Sequence, residues 1–231
     1  MTLERVTGLL LIVMPVAFNL FFFLLGRRFD YPNILRQPTE EILRRFQAGG
    51  TALKLTWHGF FLTAVAFVPL VILVSHLLAE DDLAVVPLAT AFGVLAAAVQ
   101  FLGLIRWSYL VPYLARTFLD PSSSEATRDA VAVVFQAFHR YAGVAIGEHL
   151  GYLFTGLWTL LVGVAMTQGD VFPTWLGWPG IVIGLALVVG SFEFVGSFEE
   201  AGWKLAGTLV PIAYIVWSLW LVVAGVMLLI G

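Results

Sequence analysis

The chain has 231 residues, 60% of them hydrophobic and 12% charged, with a net charge of −3. Soluble domains carry about 25% charged residues, and a water-soluble fold of this size could not hide so much apolar surface, whereas a bilayer accepts it. The absence of cysteine excludes disulfides, thiolate metal sites and cysteine nucleophiles, and no basic run is dense enough to hold nucleic acid.

About twenty apolar residues are needed to cross a hydrocarbon core. By that measure, spans fall near residues 7–26, 53–78, 84–105, 144–168, 175–195 and 205–231. The expected fold is all-α: a polytopic helical membrane bundle of about six transmembrane helices, forming one unit over residues 1–231. The opening MTLER enters its apolar run at once. That run is longer than a signal-peptide core and no A-x-A cleavage pattern follows it, so it is read as the first span.

Residues 27–52 form the one long polar connection. Within it, Pro38 and Thr39 followed by Glu40 and Glu41 predict a helix start with Thr39 as N-cap, and Gly49-Gly50 predicts its end. Arg44 and Arg45 stand four residues after the two glutamates, the spacing of paired charges on one face. This short amphipathic helix is expected to rest on the membrane surface, the alternative being a partner contact.

After the third span, Asp120-Pro121-Ser122-Ser123-Ser124 breaks the chain, and Ser122 with Glu125 has capping-box spacing. Val131, Val134, Phe135 and Phe138 then recur at helical period. Residues 119–143 are thus predicted to be a helical extension entering span four, as one long helix or as two joined near Gly143. Gly143, Gly147 and Gly151 on that span, and Gly180 and Gly184 on the next, have the spacing that lets helix backbones approach; intramolecular packing is the expected use. Trp57, Trp107, Tyr109, Trp175, Trp178 and Trp203 fall near span ends and read as an interfacial aromatic belt.

Orientation follows from the basic residues. The first loop holds Arg27, Arg28, Arg36, Arg44, Arg45 and Lys54, the third Arg106, Arg116, Arg128 and Arg140, and the fifth Lys204. The second and fourth have none, only Glu80, Asp81 and Asp82 in one and Asp170 in the other. Odd loops are therefore expected to be cytoplasmic, which makes 27–52 and 119–143 cytoplasmic and both termini non-cytoplasmic.

From span four onward, LWTLLVGVAMTQGDVFPTWLGWPGIVIG (157–184) sets a membrane tryptophan before a turn with Pro173, Trp175 and Gly177, then a glycine-bearing helix. YIVWSLWLVVAGVMLLIG (214–231) closes the chain on an aromatic-then-aliphatic helix. This pattern resembles the bacterial membrane family catalogued as domain of unknown function 4386, most clearly over 157–231 and faintly in the first two spans. The resemblance implies bacterial origin and this topology; it brings no reaction, substrate or functional residue, and the expected location is the bacterial inner membrane.

No P-loop, G-x-S-x-G, HExxH or dinucleotide fingerprint is present. Candidate chemistry therefore rests on ionisable groups within the spans, which are rare and default to functional roles. Glu148 and His149 lie just inside the cytoplasmic end of span four, with His58, Arg106 and Glu193 expected at similar depth and Asn19 and Gln100 slightly deeper. Their convergence would make a polar pocket for a small polar ligand or lipid headgroup, with Arg106 paired to Glu148 or Glu193. Otherwise each group simply snorkels to the headgroup layer.

The leading expectation is a non-enzymatic bundle that binds a small or lipid-like ligand, or a membrane partner, through this pocket. Membrane lipids are the expected partners, together with a membrane protein or a second copy of the chain. No cofactor is called for, except that His58 and His149 would be the axial ligands if the bundle were instead a b-type haem redox protein. His139 and His76 are placed nearer the surfaces. The same pattern also admits a small-molecule transporter or an accessory subunit of a larger membrane complex.

Overall fold

The computed structural model describes residues 2–79 and 83–231; the acidic trio Glu80, Asp81 and Asp82 lies outside the described residues. Among the described residues there are helices and no strands. In chain order they are α1 (Leu3–Phe29), a 3-10 turn (Asn33–Arg36), α2 (Thr39–Ala48), α3 (Gly50–Leu78), α4 (Val85–Leu104) and α5 (Arg106–Leu119). Then follow α6 (Glu125–Phe138), a π-helical segment (His139–Leu150), α7 (Gly151–Gln168), α8 (Thr174–Gly190), two 3-10 turns (Ser191–Phe194 and Gly196–Phe198) and α9 (Lys204–Ile230). Six continuous helical stretches are long and apolar enough to cross a membrane: Leu3–Phe29, Gly50–Leu78, Val85–Leu119, Glu125–Gln168, Thr174–Phe194 and Lys204–Ile230. The chain is a multi-pass membrane protein, as the hydropathy pattern requires.

The spanning helices form a ring in which each packs on its chain neighbours, α1 on α3, α3 on α4, α4 on α7, α7 on α8 and α8 on α9, and α9 closes back on α1. Glycine sets the tightest seams. A β-carbon on Gly184 would lie 2.6 Å from the Gly156 carbonyl oxygen across α7 and α8. The glycine repeats thus serve packing within the chain.

Two apolar cores result. The larger fills the half of the ring away from the basic loops, where Phe67, Trp158 and Trp217 meet edge to face, with centroids 5.0 to 6.3 Å apart. There the Trp217 indole donates to Thr159 Oγ1 (2.9 Å) and the Trp220 indole to the Leu176 carbonyl (2.9 Å). The smaller core lies at the opposite, basic end, where α2, α5 and α6 fold over the start of α3. Ile42, Leu43 and Phe46 of α2 are fully buried in it.

This cap corrects several expectations. The apolar face of α2 is covered by protein and not by the membrane surface, because α5 supplies a second amphipathic face to cover it. Helix α5 itself was not foreseen, since the charges of 106–119 end the hydropathy signal while the backbone helix resumes after Ile105. Trp57 and Trp107 are 0% and 1% exposed and stack at 4.4 Å inside the cap, so they are core and not belt; Tyr109, Trp175 and Trp178 do remain exposed. Thr39 is the first residue of α2 and not its cap; its hydroxyl instead accepts from Gln136 Nε2 (2.8 Å). The paired charges Glu40–Arg44 and Glu41–Arg45 form as spaced.

Helix α6 starts at Glu125, but its cap is Ser124, which accepts from the Thr127 amide (3.2 Å). Ser122 is committed to Asp120, whose carboxylate accepts from both the Ser122 hydroxyl (2.6 Å) and its amide (2.8 Å). Those two bonds favour the ionised form and hold the Asp120 carboxyl below its usual range. From Glu125 to Gln168 the rod is continuous, and the join expected near Gly143 is the π segment.

Candidate functional site

The π segment is the local feature from which the site is built. Such segments are wider than α-helix and recur at functional positions, because they re-aim side chains without ending the helix. Here it carries Gly143, Gly147, Glu148 and His149. Gly147 packs on Gly103 of α4 so closely that a β-carbon on Gly103 would stand 2.8 Å from the Gly147 α-carbon. The segment is thereby pinned to α4 just before the α4–α5 joint, where Arg106 emerges.

Beside it a cavity of about 1320 Å³ opens among α1, α4, the π segment, α9 and the turns after α8. Six of the seven residues singled out from the sequence line it: Asn19, Gln100, Arg106, Glu148, His149 and Glu193. His58 does not; it lies within hydrogen-bond distance of Ser108 Oγ (3.3 Å) and packs on Phe61. The two-histidine haem arrangement is thus left with His149 alone of its proposed ligands in the cavity. His139, expected near the surface, does line it, and its Nδ1 is buried without a hydrogen-bond partner.

The floor of the cavity is committed to internal bonds. Asn19 Nδ2 donates to Ser218 Oγ (2.9 Å) and to the Pro15 carbonyl (2.8 Å), and Gln100 Nε2 donates to Thr155 Oγ1 (2.9 Å). His149 Nδ1 sits 2.7 Å from the Ser191 carbonyl, which can only accept, so Nδ1 carries a proton and donates it there.

The walls are less committed. Arg106 donates to the Gly103 carbonyl and lies over the Trp107 ring, 5.4 Å from its centroid. Among the described residues it makes no ion pair, and the Glu148 carboxylate has neither a hydrogen-bond nor an ion-pair partner. The expected Arg106–Glu148 and Arg106–Glu193 bridges are therefore not formed. The ion pair at this cavity is Arg140–Glu199, at its exposed rim.

Sequence reasoning missed three lining tyrosines, Tyr31, Tyr152 and Tyr214. Tyr152 was within reach of it, being one helical turn beyond Glu148. Tyr31 was not, because a loop brings it in. Burial, followed by the negative field of Glu148, raises the Tyr31 phenol well above its ordinary range, so it stays a neutral hydrogen-bonding group.

Neither the curated proteins nor the solved structures yielded a match. The resemblance noted over the last third extends much further: a family model described as a domain of unknown function (DUF4386) matches residues 6–225, nearly the whole chain, and the chain belongs to that family.

Proposed function

We propose that this protein is a ligand-binding bundle of the bacterial inner membrane, which holds a small amphipathic molecule in the cavity at its cytoplasmic end. The observation that carries the reading is the gathering of six polar residues, from α1, α4, the α4–α5 joint, the π segment and the turn after α8, around one large space. Ligand sites are concave and mostly apolar, with a few convergent polar groups. This cavity answers that description: Phe18, Phe22 and Phe60 supply apolar wall, and Arg106 and Glu148 supply charge. A water-filled transport path is less well supported, since the far half of the ring is occupied by Phe67, Trp158 and Trp217. The cytoplasmic assignment of the cavity rests on the basic loops around it.

The test is native mass spectrometry of the full-length protein extracted from its membrane in mild detergent. A small-molecule adduct is expected on the wild type and is lost or much reduced in Glu148→Gln and Tyr152→Phe. A bare wild-type mass, together with no thermal stabilisation by total lipid extract, would sink the proposal.

A further inference from the structure

Resting on that reading, the ligand itself can be narrowed by what the cavity leaves unsatisfied and by how its wall is built. Arg106 uses one hydrogen bond, to a backbone carbonyl, out of the five N–H groups a guanidinium offers. Glu148 accepts none from any described residue. The two charges face one space and stand further apart than the 4.0 Å of an ion pair, so neither neutralises the other by contact. Both side chains are half-buried in the wall, where a charge-assisted hydrogen bond is stronger than in open water. A molecule bearing both an anionic and a cationic group would complement both, with its anion accepting from the guanidinium and its cation facing the carboxylate.

The wall between α1 and α9 adds the second constraint. At the far end these helices touch: a β-carbon on Gly8 would lie 2.9 Å from the Gly225 carbonyl oxygen. Midway they are tied by Asn19 to Ser218, and Phe18 stacks on Tyr214 at 5.9 Å. Beyond that level, toward the basic end, no hydrogen bond or ring contact joins the described residues of α1 and α9. Instead Phe22, Phe23 and Gly26 on one helix and Gly207, Pro211 and Ile215 on the other border the cavity. Phe23 and Ile215 are each 56% exposed while lining it, so the wall there is a cleft that opens sideways toward lipid. Arg27 lies over the Phe23 ring at its edge, 5.7 Å from the centroid.

We infer that the cavity binds a zwitterionic phospholipid of the phosphoethanolamine type, phosphate at Arg106 and ammonium at Glu148, with an acyl chain leaving through the α1–α9 cleft.

The test titrates the purified full-length protein in non-ionic detergent with phosphatidylethanolamine or phosphatidylglycerol of identical chains, read by native mass spectrometry. The expected result is about tenfold tighter binding of phosphatidylethanolamine, in line with one charge-assisted contact. Glu148→Gln should abolish that preference, and Arg106→Gln should weaken both lipids about tenfold, with Arg106→Lys recovering part of the loss. Thermal unfolding of each variant confirms that it is folded. Because the chain has no cysteine, Phe23→Cys with Ile215→Cys, bridged by a bis-maleimide before lipid is added, tests the cleft directly and should block loading.

Equal affinity for the two lipids would overturn the inference, as would binding unchanged in all the variants, which marks lipid on the outer surface only. Soluble phosphoethanolamine binding as tightly as the lipid would overturn the place given to the acyl chain. If soluble polar molecules bind in a Glu148-dependent way and lipids do not, this inference fails while the ligand-binding reading stands; if neither binds, both fail.

Discussion

Gly184 faces Gly156 across the close seam of α7 and α8, and backbone atoms fill the space a side chain would need. A β-carbon at 184 would lie 2.5 Å from the Leu160 amide nitrogen and 2.6 Å from the Gly156 carbonyl oxygen. Backbone cannot swing aside as a flexible side chain can, so Gly184→Ala should destabilise the protein by about 1–3 kcal/mol, the usual cost of overpacking. Denaturant unfolding in detergent micelles measures it. Gly26→Ala is the control: its β-carbon would sit 3.5 Å from the Tyr31 carbonyl oxygen, an ordinary contact, and the change should be near neutral. This seam was legible in the sequence because small residues at four-residue spacing mark one helix face whatever surrounds them. The burial of Trp57 was not. Its position relative to span two says only that it lies near an end, and what packs on it, Phe29, Tyr31 and Trp107, comes from α1, the turn after α1 and α5.

At the scale of the element, the cap is where sequence and structure part most. Helix α2 was legible as a helix from its glutamates, arginines and closing glycines, since all of these act within a turn or two. Its neighbour was not, because nothing local says whether an amphipathic helix lies on lipid or on another amphipathic helix. The two environments predict different energetics. Phe46 is fully buried against Phe29 and Trp107, at centroid distances of 6.1 and 5.9 Å. Phe46→Ala should therefore cost about 3–5 kcal/mol, as for an aromatic truncated in a packed core. A helix merely resting on the membrane would lose far less. Removing the exposed Glu40–Arg44 pair should cost under about 0.5 kcal/mol. Comparing Phe46→Ala with Glu40→Ala by unfolding in the same micelles separates the two pictures: equal small losses would mean that the cap is not a packed core.

For the molecule as a whole, much of the candidate site was readable because depth is readable. Polar residues set inside the same end of successive spans must lie at similar depths, and six of the seven singled out line one cavity. What depth cannot give is azimuth: His58 has the right level but turns toward Ser108, and its helical face depends on packing that hydropathy does not encode. An even number of crossings is expected to return the chain to the side where it began, and the close approach of Gly8 and Gly225 pairs the first and last helices. The loops at the opposite end hold nearly all the basic residues, and Lys and Arg are retained on the cytoplasmic side during insertion. Fusing alkaline phosphatase to the C-terminus should therefore give an active enzyme in intact cells, and fusing green fluorescent protein there should give no fluorescence. With no native cysteine to interfere, Arg44→Cys in α2 should resist a membrane-impermeant maleimide until the cells are permeabilised. Fluorescence at the C-terminus together with labelling of residue 44 in intact cells would invert the molecule, turning the cavity and its cleft toward the opposite leaflet, where the lipid supply differs.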